Sequence, residues 1–322
     1  VELSLLDRSR TRVGEPESAA LSHTVERAVA AEKSGYLRFW VAEHHAVPGI
    51  ASGSPPVLLA ALGSRTSTIR IGSGGVMLPH HQPLVVAEQF LMLEALFPGR
   101  IDLGLGRSPA FTAPVRRAMR QDESAPDRFT ADLAELRDYL DGTGPVTAHP
   151  VSDRTIPMFV LATGQGLMVA ARLGLPAVLG GPLLDSPELD AALAGYRREF
   201  RPSPRAQRPR VTLAVEVTVA ETDEQARTLV LPEAWAMARS RSTGVFPPLE
   251  PVGGGASWTD QTRRRVEAAV RRAIAGTPQT VRRRIEQLTD RTGAEELLAT
   301  TSTYDRAALA ASDAALARIV AG

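Results

Sequence analysis

The chain contains no cysteine. That excludes disulfides, thiolate metal sites and cysteine nucleophiles, and it is compatible with a reducing cytoplasm, the location we expect. Lysine is almost missing too: Lys33 is the only one. It lies near a helix end and not at a strand tip, so a Schiff-base mechanism of the aldolase type is not expected. The net charge is only +1 over 322 residues, and nothing in the overall balance favours nucleic acid or a membrane surface. No apolar run approaches the roughly 18 residues needed to span a bilayer. The opening VELSLLD is too short and too soon acidic for a signal peptide. No G-x-S-x-G, H-E-x-x-H or Walker sequence is present, and no carboxylate pair stands out as a glycosidase dyad. Arginine is abundant, but its densest runs (263–265, 271–272 and 282–284) fall on amphipathic helical patterns and read as solvated faces.

What the chain does have is a large apolar fraction, 43%, and a repeating arrangement of short apolar segments that stop in chemistry. Residues 36–42, YLRFWVA, stop at Glu43-His44-His45; residues 69–73, IRIGS, stop at Gly74-Gly75-Val76; residues 101–105, IDLGL, stop at Gly106-Arg107-Ser108. Helical patterns separate them. The alternation continues along the chain and yields eight strands: 1–6, 36–42, 69–76, 101–106, 156–162, 176–180, 211–219 and 295–301. The intervening patterns predict helices, among them one opening at Ser22, one at 55–65, one at 83–96, and two near 259–275 and 278–292. Strand–helix alternation predicts an α/β protein with a parallel sheet, and eight units permit closure into a (β/α)8 TIM barrel with loop insertions over residues 1–322 as one domain; an open doubly wound sheet stays possible. Two insertions stand out. Residues 108–125 are polar and broken by proline. Residues 243–258 are rich in proline and glycine without periodicity, and read as a lid or a passive insertion in which Phe246 and Trp258 could cover an apolar ligand.

In a barrel the chemistry sits at the C-terminal strand tips. Successive side chains on a strand point to opposite faces, so one of His44 and His45 should face the mouth. Such a histidine can hydrogen-bond a ligand or move a proton near neutral pH; a core or capping histidine is the plainer alternative. His80-His81 at the end of the third strand adds two more imidazoles. Neighbours on a strand cannot both aim inward, and no third-ligand spacing is evident, so no metal site is expected. Gly74-Gly75 permits unusual backbone or the close approach of a flat ligand. Gly104-Leu105-Gly106 lacks the third glycine of a dinucleotide fingerprint, whereas Arg107 at a strand tip suits an anion. Thr163-Gly164-Gln165-Gly166 leads into a helix, and free N–H groups there suit a phosphate; an ordinary cap at Thr163 is compatible with that.

Taken in order, these segments resemble the bacterial luciferase-like flavin monooxygenases. The carrying residues are LSLLD near the start, the block from Arg38 to Arg107, LATGQGLMVAARLGLP at 161–176 and VAETDEQA at 219–226. The resemblance implies a (β/α)8 barrel that binds reduced FMN, supplied by a separate flavin reductase, and uses O2 through a C4a-(hydro)peroxyflavin. It implies hydroxylation or epoxidation of an organic substrate, of aromatic or polyketide type. It implies a catalytic histidine at His44, a cis peptide at Gly74-Gly75 beside the flavin ring, and phosphate ligands at Arg107 and in the 163–166 loop. The cofactor-binding set is then Glu43, Gly74, Gly75, Val76, Arg107, Thr163, Gly164, Gln165 and Gly166. Where relatives carry serines in the phosphate loop, this chain has a single hydroxyl, and the luciferase cysteine beside the flavin is Gly106, so light emission is not implied. An F420-dependent hydride transfer and a non-catalytic flavin-binding role are the alternatives. Relatives often form homodimers through early helices, and helix 83–96 could serve here.

Overall fold

The computed structural model describes residues 1–108, 112–121, 127–162, 164–252 and 258–321. Its strands are β1 (Glu2–Asp7), β2 (Arg38–Val41), β3 (Arg70–Met77), β4 (Ile101–Gly106), β5 (Met158–Ala162), β6 (Ala177–Gly180), β7 (Val211–Val215), β8 (Val217–Val219), β9 (Ile274–Gly276) and β10 (Glu296–Ala299). The helices are α1 (Ser18–Lys33), α2 (Pro55–Arg65), α3 (Pro83–Leu96), α4 (Ala113–Ala118), α5 (Phe129–Leu140), α6 (Gly166–Leu173), α7 (Leu189–Glu199), α8 (Asp223–Thr243), α9 (Asp260–Arg272), α10 (Pro278–Thr292) and α11 (Arg306–Ala321). Eight strands close into a parallel barrel in the order β1-β10-β7-β6-β5-β4-β3-β2, and they are the eight expected from the apolar runs.

Alternation along each strand sorts the side chains. Leu3 and Leu5, Phe39 and Val41, and Leu213 and Val215 face outward into the large core under the helices. Leu6, Trp40, Phe159, Val178 and Leu298 face inward and form their own cluster inside the barrel. Trp40 fills the middle because its neighbours are glycines: a Cβ on Gly72 would lie 2.7 Å from Trp40 Nε1, and one on Gly74 would lie 2.5 Å from Leu6 Cδ1. Below this layer a buried ionic network closes the bottom. Arg38 donates to Asp102 at 2.8 Å and to Glu296 at 2.9 Å, and Trp40 Nε1 donates to Asp102 at 3.2 Å. Side chains therefore fill the barrel interior between this network and the inward cluster.

Three elements differ from the sequence expectation. Helix α1 starts at Ser18, one turn before Ser22, because the buried stripe Ala20, Thr24, Arg27, Ala28, Ala31 extends that far back. The alternating run 211–219 is two strands: β7 pairs with β6 and β10, while β8 leaves the barrel to pair with β9 in a two-stranded sheet. Glu216 is the residue between them. The end of the helix expected over 259–275 is that partner strand β9, and it packs with α8 and α9 into a small separate core.

Candidate active site

All barrel strands are parallel, so the residues following β1, β2, β4, β5, β6, β7 and β10 emerge at one mouth. The inward phase continues past the strand ends. It runs from Leu6 to Arg8, from Trp40 through Ala42 to His44, from Ala214 to Glu216, and from Leu298 to Thr300. Arg8, Glu216 and Thr300 border a cavity of 390 Å³. His44 borders a second of 300 Å³ with Ile50 and Phe246. Arg8, Met237 and Arg241 line both, so the two cavities adjoin beside helix α8.

His44 is thus the mouth-facing member of its pair. Its amide donates to Ser52 O at 2.9 Å, which fixes the turn after β2. Burial, reinforced by the nearby Arg8 and Arg10 guanidiniums, pushes its imidazole down to about 4, so the ring is neutral at physiological pH. His45 turns the other way. Its Nε2 lies 2.6 Å from Glu43 Oε1, and His81 Nε2 lies 2.8 Å from the same oxygen. The other oxygen, Oε2, accepts the Met77 amide at 3.0 Å. The Glu43 carboxylate is taken up inside the protein, where it clamps the end of β2 to the end of β3. Burial acts to raise it, but the hydrogen bonds from the histidines outweigh that and hold it well below the usual carboxylate range.

The sequence shows no third-ligand spacing for a metal, but the fold brings residues of the two histidine pairs together. Glu43 and His45 lie past the end of β2, and the chain's turn there brings His45 onto Glu43. Ligand atoms of Glu43, His45 and His80 all fall within 4.8 Å of one another. His80 Nδ1 sits 3.7 Å from Glu43 Oε1, beyond hydrogen-bond reach.

Gly74-Gly75 is a non-prolyl cis peptide. The β3–β4 register shifts between Gly74 and Val76. The Val76 side chain consequently packs into the core between barrel and helices. A Cβ on Gly75 would lie 2.7 Å from Gly104 O, and the space at Gly106 is occupied by the Met77 thioether, 2.8 Å from where that Cβ would stand. Glycines at 72, 74, 104 and 106 leave β3 and β4 without side chains of their own there, and Leu6, Trp40 and Met77 fill much of the space this opens.

Arg107 and the 164–166 loop leave the rim on neighbouring strands, with Leu105 of β4 opposite Val160 of β5. Arg107 pairs with Asp127, and both side chains are about half exposed. An exposed pair of this kind contributes only about 0–1 kcal/mol, so a phosphate could displace the aspartate. Gly164, at φ +55, turns the chain into α6, and Gly164 and Gln165 are exposed. Thr163 lies outside the described residues. Backbone N–H groups at a helix start and a half-exposed guanidinium on the neighbouring strand tip are groups of the kind that receive a phosphate.

The described parts of the two insertions are fastened down. Phe246 lies under the Arg10 guanidinium, 4.4 Å from its ring centroid. Gly49 N donates to Phe246 O at 2.8 Å, and Leu249 N to Thr11 O at 2.9 Å. Trp258 stacks on Trp235 at 5.4 Å and so covers helix α8. A Cβ on Gly244 would lie 3.8 Å from Thr112 Cγ2, so the insertions meet over the mouth.

Four polar residues of the mouth were not singled out from the sequence: Arg8, Arg10, Glu216 and Glu233. Glu233 of α8 accepts from Arg10 at 2.8 Å and pairs with Arg8 at 3.0 Å. Burial opposes its ionisation, but the two arginines prevail and hold it charged. Glu216 has no such support. Burial, then the Glu233 charge, pushes its carboxyl up to about 8. Two carboxyls with opposed environments share this wall, a recurrent feature of functional sites.

The sequence profile of the luciferase-like monooxygenases matches residues 1–296. A protein of Escherichia coli K12 named luciferase-like monooxygenase is 36% identical over 317 residues, covering 96% of this chain and 93% of its own. The N-acetyl-S-alkylcysteine monooxygenase of Bacillus subtilis is 38% identical over 236 residues, 70% of each chain. Among solved structures, apo-MsnO8 superposes with a TM-score of 0.86 at 34% identity, covering 100% of this chain and 98% of that one. Two more distant structures share the fold. The oxygenating constituent of 3,6-diketocamphane monooxygenase of Pseudomonas putida, in complex with FMN, has a TM-score of 0.78 at 18% identity and covers 99% of this chain and 97% of its own. An F420-dependent secondary alcohol dehydrogenase in complex with an F420-acetone adduct has a TM-score of 0.68 at 15% identity, with the same coverage. With its closed barrel and a profile match over most of its length, the chain belongs to the luciferase-like monooxygenase family.

Proposed function

We propose that the protein is the oxygenase of a two-component system. It would take reduced FMN from a separate, transiently encountered reductase and oxygenate a small organic substrate by hydroxylation or epoxidation. The observation that carries this reading is that His44, Gly74 and Gly75, and Arg107 with Gly164 stand at the strand ends of one mouth. Bound reduced FMN would supply the electrons that activate dioxygen. In this reading Arg107 and the N–H groups of Gly164, Gln165 and Gly166 hold the phosphate. Gly74 and Gly75 let the ring lie against main chain. His44, uncharged, gives or accepts a hydrogen bond at the reacting oxygen. Glu43 keeps the β2 and β3 tips in register beneath these groups. Residues 112–121 and 244–250 shield the space from water.

The monooxygenase relatives support oxygen transfer over hydride transfer, and the FMN complex of a fold neighbour supports FMN; an aromatic or polyketide substrate is the class we favour. An F420-dependent reaction is the second reading, favoured by the other fold neighbour, and a flavin-storage role is the third. Parallel titrations with FMN and F420 separate the first two. We expect FMN to bind and F420 not to; the reverse would replace this reading. We also propose a homodimer through α2 and α3, because Val57, Val85, Met92 and Leu96 are large, apolar and exposed there. Sedimentation of Met92→Glu beside the parent tests it, with a shift to monomer expected. The reactions proposed need no membrane anchor, and among the described residues no helix is long and apolar enough to cross a membrane.

A further inference from the structure

The 390 Å³ cavity lies between the tips of β1, β6, β7 and β10 and the helices α8 and α9. Its nearest strand, β6, is two strands round the rim from the Arg107 tip of β4. Its size is that of a small-molecule site, where values of about 300–1,000 Å³ are usual. Much of its surface is apolar, with Leu6, Leu184, Met237, Ile274 and Leu288 exposed to it.

Its charges do not balance within the protein. Glu233 is engaged by Arg8 and Arg10, and Asp185 by Arg272 at 2.7 Å. Three further guanidiniums line the cavity without a carboxylate, and one of them, Arg284, is spent on the Ala273 carbonyl at 2.7 Å. Arg265 donates to the Ser242 hydroxyl at 2.8 Å. Arg241 of α8 has no hydrogen-bond or ion-pair partner among the described residues. The one acid left is Glu216, whose buried Oε1 has no hydrogen-bond partner. Burial and the Glu233 charge keep that carboxyl protonated near neutral pH, which makes it a donor. A cavity with surplus positive charge, one neutral donor and apolar walls complements an anion that carries an additional acceptor and an apolar body. It disfavours an amine, which would be drawn in among guanidiniums with no free carboxylate to meet it.

We infer that this cavity is the organic-substrate pocket and that its substrate is an apolar carboxylic acid, with the carboxylate received by Arg241 and Arg265 and a second oxygen receiving a hydrogen bond from Glu216. This names the substrate class of the oxygenation proposed above and rests on that reading. Glu216 here is a positioning residue for the substrate, and Arg241 and Arg265 set its charge.

Calorimetric titration with N-acetyl-leucine and its uncharged methyl ester, with and without oxidised FMN, tests the assignment. The parent should bind the acid at least about tenfold tighter than the ester. The double variant Arg241→Gln/Arg265→Gln should lose that preference while its FMN affinity stays within about twofold of the parent. Glu216→Gln keeps a neutral donor and should hold acid affinity within about threefold, whereas Glu216→Ala should weaken acid and ester alike. Equal binding of acid and ester by the parent would overturn the inference, as would no binding of either at millimolar concentration. It would also fail if the double variant lost FMN affinity, since the cations would then serve the cofactor phosphate, or if Glu216→Gln were as impaired as Glu216→Ala. Should the acid preference and its loss be found in a protein that does not bind FMN, the pocket assignment holds and the proposed oxygenation fails.

Discussion

Glu43 Oε2 accepts the backbone amide of Met77 at 3.0 Å, joining the turn after β2 to the end of β3. The two most informative motifs of the sequence, Glu43-His44-His45 and Gly74-Gly75-Val76, are therefore parts of one braced object. The rest of the carboxylate holds His45 and His81. Glu43→Ala strips three donors of their acceptor, and at about 1–3 kcal/mol for each one left buried and unsatisfied, a loss of at least about 2 kcal/mol is expected. Glu43→Gln keeps an acceptor and should lose less. Denaturant midpoints at constant slope measure both. A Glu43→Ala protein as stable as the parent would show that the brace contributes nothing.

Arg107 is half exposed and pairs with the equally exposed Asp127. Arg107→Gln should leave stability within about 1 kcal/mol of the parent. It should weaken FMN by about tenfold or more and leave riboflavin, which lacks the phosphate, unchanged. Equal weakening of both flavins would place Arg107 against the ring and not the phosphate.

A third prediction concerns pH. Glu216 has its carboxyl raised from 4.5 to about 8. Between those values the folded protein keeps a proton that the unfolded chain releases, so this group's contribution to stability falls as pH rises and is gone above about 8. Relative to the parent, Glu216→Gln should gain stability from about pH 5 to about pH 8 and then level off. His44 and His23 act in the opposite sense. Burial, with nearby arginines, lowers each from 6.5 to about 4, so the unfolded chain takes up protons first and the fold weakens as pH drops through that window. Unfolding at a series of pH values reads both limbs. A pH-independent difference between parent and Glu216→Gln would mean that Glu216 is ionised in the fold.

How much of this was legible beforehand follows from the physics of each segment. The barrel strands were readable because both faces are buried, which leaves short apolar runs bounded by turns. The mouth-facing role of His44 was readable because Trp40, Ala42 and His44 share one phase. Glu216 was hidden inside an unbroken alternation, V-T-L-A-V-E-V-T-V, where nothing local marks that the chain changes sheets. The same phase, Thr212, Ala214, Glu216, would have aimed it into the mouth had the inward face of that strand been known. Strand β9 was missed because three residues directly after a helix carry no period. The gathering of His45, His80 and His81 on Glu43 depends on two turns whose paths no pattern encodes.

Packing at Gly75 gives a fourth expectation. A Cβ at Gly75 would stand 2.7 Å from Gly104 O, a main-chain atom that cannot swing aside. Gly75→Ala should cost about 1–3 kcal/mol and weaken FMN binding, because β3 and β4 must part to admit the methyl. Gly142→Ala, where no atom lies within 4 Å, is the control: it should leave FMN binding unchanged. Equal effects on flavin binding would deny Gly75 a role.

The most direct test is rapid mixing of the protein, loaded with reduced FMN, with air-saturated buffer, following the flavin spectrum and hydrogen peroxide together. The account predicts a protein-dependent transient absent from free-flavin oxidation, which decays faster and releases more peroxide in His44→Ala while that variant binds FMN as the parent does. A trace identical to free flavin, from a protein that shows no FMN binding by titration, would contradict it.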